Sequence, residues 1–251
     1  MTPSPIGKVL STFRKHRVRA LLMGGQACIL YGAAEFSRDV DVAVAADDKN
    51  LNRLRRALSE LQADPVFVPP LGPEVLLLGH ACHFRVQIPE AQGIRIDVMS
   101  VMHGCDSFEE LWKRRRRLKI PKAGWVNLLG LSDLVRAKKT QRDKDWPMVR
   151  RLVEADFDKH SKKPAKEQIL FWLWEARNPH LLAELCRRFS RWARQVAKER
   201  PAVRYALQGD IEQAEKALRQ EEEIFRSADR VYWQPLRAQL FQWRRAARKS
   251  F

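Results

Sequence analysis

The amino-acid sequence predicts an α/β (α+β) fold, in which a mixed β-sheet flanked by helices is followed by a helical C-terminal region. Short apolar runs of strand length, separated by glycine and proline, fill the first part, and helical periodicity dominates the rest. The chain has 251 residues, of which 45% are hydrophobic, enough to bury a core. We expect a sheet core over residues 1–106, a basic helical part over 107–160 that completes the same domain, and a helical region over 161–251.

The sheet core is predicted to alternate between short helices and short strands. Its apolar residues repeat at helical or alternating spacing, with glycine or proline between the segments. In chain order we expect a helix over 6–16, a strand over 20–23, a helix over 26–31, a strand over 39–45, a helix over 50–61 and strands over 82–88 and 94–101. The last two strands flank a proline- and glycine-containing connection, so they are expected to form a hairpin-like pair.

From Ser107 onward the pattern is helical. Ser107-Phe-Glu-Glu110 fits a capping box at a helix start. Further helices are expected from Ser132 and from about Lys144, and about four more after the Lys- and Pro-rich residues 159–166. Caps for two of these last helices are indicated at Asn178-Pro179 and at Gly209-Asp210.

Three aspartates are the candidates for chemistry. Strand alternation sends Asp39 and Asp41 to one face and the intervening valines to the core. Asp97 alternates with apolar residues in the same way, so it would lie beside the first pair on a neighbouring strand. Clustered carboxylates are what divalent metal ions need, and the preceding Gly24-Gly25 lets backbone amides approach phosphate. An isolated Asp-x-Asp is more often a solvated strand face, so the order of the whole set matters.

This order of motifs resembles the nucleotidyltransferase superfamily. It looks most like the branch that contains the AbiEii-type toxins and related uncharacterised bacterial proteins, and the resemblance covers about residues 18–155. The motifs that carry it are Gly24-Gly25, Tyr31-Gly32, Glu35-Phe-Ser-Arg-Asp-Val-Asp41 and Ile94-Arg-Ile-Asp97.

The resemblance implies a magnesium-dependent transfer of a nucleoside monophosphate from a nucleoside triphosphate such as ATP. Asp39 and Asp41 would ligate two magnesium ions, and Asp97 would help hold the catalytic metal and activate the acceptor hydroxyl. The segment 131–145 is similar to a family segment with a helical lysine, and there Lys138 and Arg142 are expected to share a helix face. The residues implied to bind the nucleotide are Gly24, Gly25, Ser37, Arg38, Lys138, Lys139 and Arg142.

Two positions depart from the family pattern. Gln26 stands where many members have serine, which removes a hydroxyl contact to phosphate. Glu35 stands where relatives often have arginine, and Arg38 directly precedes the first aspartate instead. These departures weaken the inference about the substrate, whereas all three carboxylates of the metal site remain.

The net charge of +17 is confined to the second part of the chain. Residues 1–110 carry 12 Lys and Arg against 13 Asp and Glu, and residues 111–251 carry 35 against 17. All eight tryptophans also lie after residue 111, and cations with interleaved aromatic rings suit RNA. We expect RNA, such as tRNA, to be the acceptor and 111–251 to bind it, as in a toxin of a toxin–antitoxin pair with an antitoxin partner. The plainer alternative is buried tryptophans on helices whose solvated faces, including 113–117, are basic.

Two other functions remain open. The acceptor could be a protein or a small molecule, although a small acceptor would favour a less basic second part. The chain could instead be a non-catalytic module that binds RNA or a partner protein, although such a module has little need for three converging carboxylates.

The remaining features indicate the setting of the protein. No stretch reaches the roughly 20 apolar residues of a membrane span, and the N-terminus lacks a signal-peptide core, so a cytoplasmic location without membrane contact is expected. The four irregularly spaced cysteines indicate reduced thiols. His80-Ala-Cys-His83 and His103-Gly-Cys105 do not match the spacing of zinc sites and are expected to be structural.

Overall fold

The computed structural model describes residues 5–66 and 68–249, except for the side chains of residues 248 and 249. These residues form two compact units. The first, which we call the sheet unit, takes its residues from 1–30, 35–137 and 232–251, and the second, the helical unit, comprises 31–34 and 138–231. Within the described part of the chain, no helix is both long and apolar enough to cross a membrane.

The described residues of the sheet unit form a mixed sheet of seven strands. The strands are β1 Ala20–Met23, β2 Asp39–Val44, β3 Asp64–Pro65, β4 Cys82–Arg85, β5 Arg95–Met99, β6 Arg116–Ile120 and β7 Gly124–Leu128. Their order in the sheet is β3-β4-β5-β2-β1-β7-β6. The pairs β2–β5 and β1–β7 are parallel, and the other neighbours are antiparallel. A mixed sheet flanked by helices, with a helical C-terminal part, confirms the predicted fold class.

Helices of the sheet unit cover this sheet and supply its apolar core. Val9 and Phe13 of the first helix are buried, as are Leu21, Val42 and Ile96 of the central strands. The first helix contacts the helix over residues 48–60 and also strand β7. The helices are α1 Pro5–Lys15, α2 Gly24–Leu30, α3 Asp48–Glu60, α4 Pro73–Leu77, a 3-10 turn Pro89–Ala91, α5 Phe108–Lys113 and α6 Leu131–Ala137.

The helical unit packs around Trp172, which is fully buried. The Trp172 indole N–H donates to Asp156 at 2.9 Å, and its ring meets Phe157 edge-on at 5.1 Å between centroids. The helices are α7 Asp145–His160, α8 Lys166–Glu175, α9 Pro179–Arg188, α10 Ser190–Val196, α11 Pro201–Leu207 and α12 Ile211–Lys249. The residues of α12 from Tyr232 onward belong to the sheet unit.

Most elements predicted in the first hundred residues are confirmed, with boundaries shifted by one to three residues. The expected helix over 26–31 begins earlier, at Gly24. The basic part over 107–160 contains the three expected helices but is not helical alone, because β6 and β7 form an unpredicted hairpin inside this range. The turn of the hairpin has left-handed backbone at Lys122 and Gly124. Strand β6 was not predicted because its arginines and lysine leave no regular apolar alternation of the kind that marks a half-buried strand.

The predicted helix caps have different outcomes. Asn178 caps α9 by accepting the backbone N–H groups of His180 and Leu181, and Asp210 accepts from Gln213 at the start of α12. Both caps are therefore confirmed. The predicted capping box at Ser107 is wrong, because Ser107 precedes α5 but makes no side-chain hydrogen bond to it.

Candidate metal and nucleotide site

Strand β2 presents two carboxylates on one face. Along this strand the half-buried Asp39 and Asp41 alternate with Val40 and Val42, which are 0% and 1% exposed. The alternation follows from strand geometry, since successive side chains point to opposite faces. The valines anchor the strand in the core and thereby hold both carboxylates on its polar face.

The third carboxylate lies beside this pair. Strand β5 runs parallel to β2, with Asp97 in register with Asp41 and Arg95 in register with Asp39. Strand β4 adds His83 in antiparallel register with Asp97. Because neighbouring strands are about 4.8 Å apart, His83, Asp97 and Asp41 form a continuous polar row across three strands.

The carboxylate of Asp97 is held by two neighbours. His83 Nδ1 lies 2.7 Å from Asp97 Oδ1, and Arg95 Nε donates to the same oxygen at 2.7 Å. Burial raises the pKa of Asp97, but these hydrogen bonds outweigh burial and hold the pKa below its ordinary value. Asp97 is therefore ionised at neutral pH, with Oδ1 already engaged.

Replacement of Asp97 by asparagine tests this pairing through pH. A depressed pKa in the folded protein adds stability above the unfolded pKa of about 3.9, and this stability is lost as pH falls through the folded pKa. We expect wild type to unfold at a higher temperature than Asp97→Asn at pH 7, and the gap to shrink below about pH 4. Thermal unfolding across this pH range measures the gap. Asp158→Asn, at an exposed position of α7, is the control; a gap for Asp97→Asn that does not change with pH would contradict the pairing.

The two glycines that begin α2 make room for side chains of the site. A Cβ added at Gly24 would lie 1.8 Å from Asp41 Oδ2, and Gly24 has a φ of +62°. A Cβ added at Gly25 would lie 2.5 Å from Ser37 Oγ. Both glycines are therefore required for Asp41 and Ser37 to approach the backbone at the start of α2.

A cavity of about 870 Å³ lies beside Asp39. Three arginines, Arg38, Arg85 and Arg95, line it together with two carboxylates, Asp39 and Glu35, and α1 and α2 contribute apolar walls. Among the described residues, neither Arg38 nor Arg85 has an ion-pair partner, although Arg38 lies over the Phe36 ring at 5.4 Å. Asp41 and Asp97 do not line the cavity. The cavity is thus a basic hollow at the edge of the carboxylate row.

The three carboxylates are chemically suited to bind a hard cation. In their present positions, however, their side chains do not converge on one point. Magnesium prefers carboxylate oxygens, and the backbone places Asp39, Asp41 and Asp97 on one face of adjacent strands. Within the described residues, however, no three His, Cys, Asp or Glu side chains are grouped closely enough to hold a metal ion. Asp97 Oδ1 binds His83 and Arg95 instead. The strand register therefore brings the three carboxylates to one face, and their side chains would have to turn to bind a metal ion together.

The remaining predicted nucleotide ligands belong to the helical unit. Lys138 and Arg142 lie in the loop between α6 and α7, so the expectation that they share a helix face is wrong. Both donate to the buried carboxylate of Asp145, at 3.0 and 2.7 Å, and these bonds hold the loop in a non-helical path. Lys139 is 9% exposed and pairs with Glu175 at 2.6 Å. Their binding to nucleotide stays a prediction.

The sequence analysis did not identify Arg85 and Arg95 as residues of the polar face. It treated His83 as structural. Arg85 and His83 are spaced by two on β4, and Arg95 precedes Asp97 by two on β5. The same alternation that singled out Asp39 and Asp41 would have placed them on one face. The pairing of β4 with β5 was predicted, but its register was not.

The histidines and cysteines weighed as zinc ligands have other partners. His80 Nε2 lies 2.7 Å from Gln239 Oε1, and its ring lies 4.7 Å from that of Trp243. His103 stacks on Tyr232. The four cysteines are free thiols, as expected. Within the described residues these contacts are structural.

Comparison with known proteins adds little. No protein-family model matches the chain, and no curated protein matches it. Matches among solved structures include the crystal structure of JHP933 from Helicobacter pylori, which is 12% identical over 94% of this chain and 95% of that chain. Its TM-score is 0.34, and at this value the likeness carries no inference about function.

Proposed function

We propose that this protein is a magnesium-dependent nucleotidyltransferase that moves a nucleoside monophosphate from a nucleoside triphosphate to a hydroxyl group of RNA. The observation that carries the proposal is the register of β2 and β5, which sets Asp97 beside Asp41 on the strand face that also bears Asp39. Three carboxylates on one sheet face, after a glycine turn, are the arrangement that the family resemblance implies.

Each carboxylate has a role in this proposal. Asp39, Asp41 and Asp97 would hold the metal. Bound magnesium would stabilise the charge that develops on the phosphoryl oxygens during transfer. Asp97 is ionised, and since Oδ1 binds His83 and Arg95, Oδ2 is the atom left to accept the proton of the acceptor hydroxyl. The hydroxyl oxygen would then attack the α-phosphate, the bond between the α- and β-phosphates would break, and pyrophosphate would leave. His83 and Arg95 thus orient the proton acceptor.

The cavity beside Asp39 supports a phosphate-bearing substrate. Arginine binds phosphate oxygens through a planar fork of N–H donors. Arg38 and Arg85 line the cavity and have no ion-pair partner within the described chain, so their charges are available to an anion. The apolar walls of the cavity suit the rest of a nucleotide, since ligand sites combine apolar surface with a few polar groups.

The acceptor and the biological setting are proposed from the charge distribution and from the family resemblance. RNA is proposed because the positive charge and the tryptophans are concentrated in residues 111–251. A toxin of a toxin–antitoxin pair, an antitoxin partner and a cytoplasmic location follow from the resemblance and the sequence alone.

The proposed function is tested by measuring transfer of a radioactive label from a nucleoside triphosphate to RNA. Purified protein, magnesium and each α-labelled nucleoside triphosphate are incubated with total RNA, beside an Asp39→Ala/Asp41→Ala variant. We expect labelled RNA with wild type and none with the variant, because the variant loses both carboxylates of β2. Label on protein or on a small molecule would replace RNA as the acceptor. Nucleotide binding without any transfer would favour a non-catalytic module.

A further inference from the structure

A second hollow of the sheet unit combines arginines with tryptophans. It has a volume of about 390 Å³ and lies where the C-terminal end of α1 and strand β1 meet the β6–β7 hairpin. We call it the arginine–tryptophan groove and define it by Arg14, Arg17, Arg19, Arg117, Trp112 and Trp125. Its lining, all of it within the described residues, includes four arginines and no aspartate or glutamate.

The positive charge of the groove is largely uncompensated. Arg19 pairs with Glu109 at 2.6 Å. Arg14, Arg17 and Arg117 have no carboxylate partner in the described part of the chain. Clustered like charges raise the local potential and attract a polyanion, which releases its counterions on binding. The groove is therefore suited to a chain of phosphates.

The aromatic rings of the groove supply a second type of contact. Trp125 is 53% exposed, although tryptophan is highly buried on average. Arg117 lies over the Trp125 ring at 5.2 Å, and Arg19 lies over Trp112 at the same distance from its centroid. An exposed indole beside a guanidinium is a stacking surface for a nucleobase, with the cation close to the adjoining phosphate.

We propose that the arginine–tryptophan groove binds single-stranded RNA. A duplex keeps its bases stacked inside, whereas a single strand can place a base on Trp125 while its phosphates meet the arginines. The choice of RNA over DNA rests on the proposed function, in which RNA is the acceptor. The buried side chains of Leu10 and Leu22 contribute to the linings of both this groove and the cavity beside Asp39.

Fluorescence anisotropy with a labelled 12-nucleotide RNA tests the groove. We expect Trp125→Ala to weaken binding about tenfold, because one stacked base is lost. The triple variant Arg14→Ala/Arg17→Ala/Arg117→Ala should weaken RNA binding further. Because it loses three phosphate contacts at about 0.7 each, the slope of the logarithm of the binding constant against the logarithm of salt concentration should become shallower by about 2. Arg56→Ala, at an exposed arginine of α3 outside the groove and outside residues 111–251, is the control and should bind like wild type.

Each outcome of this experiment decides the proposal. Wild-type affinity in both groove variants would overturn it, as would equal or tighter binding of single-stranded DNA of the same sequence or of duplex RNA. If Trp125→Ala alters the thermal midpoint, the arginine variant, changed only at exposed arginines, still decides. The Asp39→Ala/Asp41→Ala variant should keep RNA binding. Absence of transfer by a wild type that still binds RNA in the groove would contradict the proposed reaction and leave the groove proposal intact. Transfer by a wild type whose RNA binding does not depend on the groove residues would contradict only the groove proposal.

Discussion

Replacing Gly24 by alanine is expected to lower the proposed nucleotidyl transfer by at least about a hundredfold. The new methyl group would lie 1.8 Å from Asp41 Oδ2 and 2.4 Å from Asp41 Cγ, so the carboxylate must move. A displacement of about 1 Å in a reacting group costs on the order of 100-fold in rate. The measurement is kcat/KM for transfer, together with a magnesium titration, in which the variant should require more metal.

Gly209 provides a matched control for the backbone strain at Gly24. It also has left-handed backbone, with a φ of +78°, but no atom lies within 4 Å of an added Cβ. Both alanine variants should lose about 1 kcal/mol of stability from strain alone. Only Gly24→Ala should lose transfer. Equal activity of the two variants would show that the position of Asp41 does not limit the reaction.

The second large effect is expected from Arg200→Met in the helical unit. Arg200 is 3% exposed and donates to Glu221 at 3.0 Å, to the Leu173 carbonyl at 2.6 Å and to the Ala176 carbonyl at 2.9 Å. Methionine fills similar space but removes this donor from the Leu173 and Ala176 carbonyls and leaves Glu221 with Arg177 alone. Removing one partner of a buried ion pair costs about 3–5 kcal/mol. Urea unfolding followed by helical circular dichroism should show this loss.

Arg219→Met is the control for this variant. Arg219 pairs with Glu215 one helical turn away, and its side chain is 76% exposed. An exposed pair of this kind is worth about 0.5 kcal/mol or less. Arg177, which also donates to Glu221 at 2.9 Å, would hold this carboxylate in place of Arg200. A loss for Arg200→Met as small as that for Arg219→Met would mean that Arg177 compensates and that the carbonyl acceptors find water.

Much of the sheet core and the shared face of the aspartates follow from local sequence patterns. Strand β1 has the predicted bounds, and β2 begins at the predicted residue. Alternation of Asp39 and Asp41 with buried valines is a property of successive residues, and it can be seen without knowing what each strand pairs with. The same holds for the cap at Asn178, because a cap joins residues only two or three apart.

Only the tertiary structure decided which side chains meet. The register that sets Asp97 beside Asp41 and His83 beside Asp97 joins strands far apart in sequence. The closeness of Gly24 to Asp41 arises in the same way. The β6–β7 hairpin was not predicted, because the charged residues of β6 disrupt the alternation of apolar and polar residues that indicates a strand. Periodicity reports which face of an element is buried, but register depends on side-chain packing and hydrogen bonds between distant segments, which no local pattern contains.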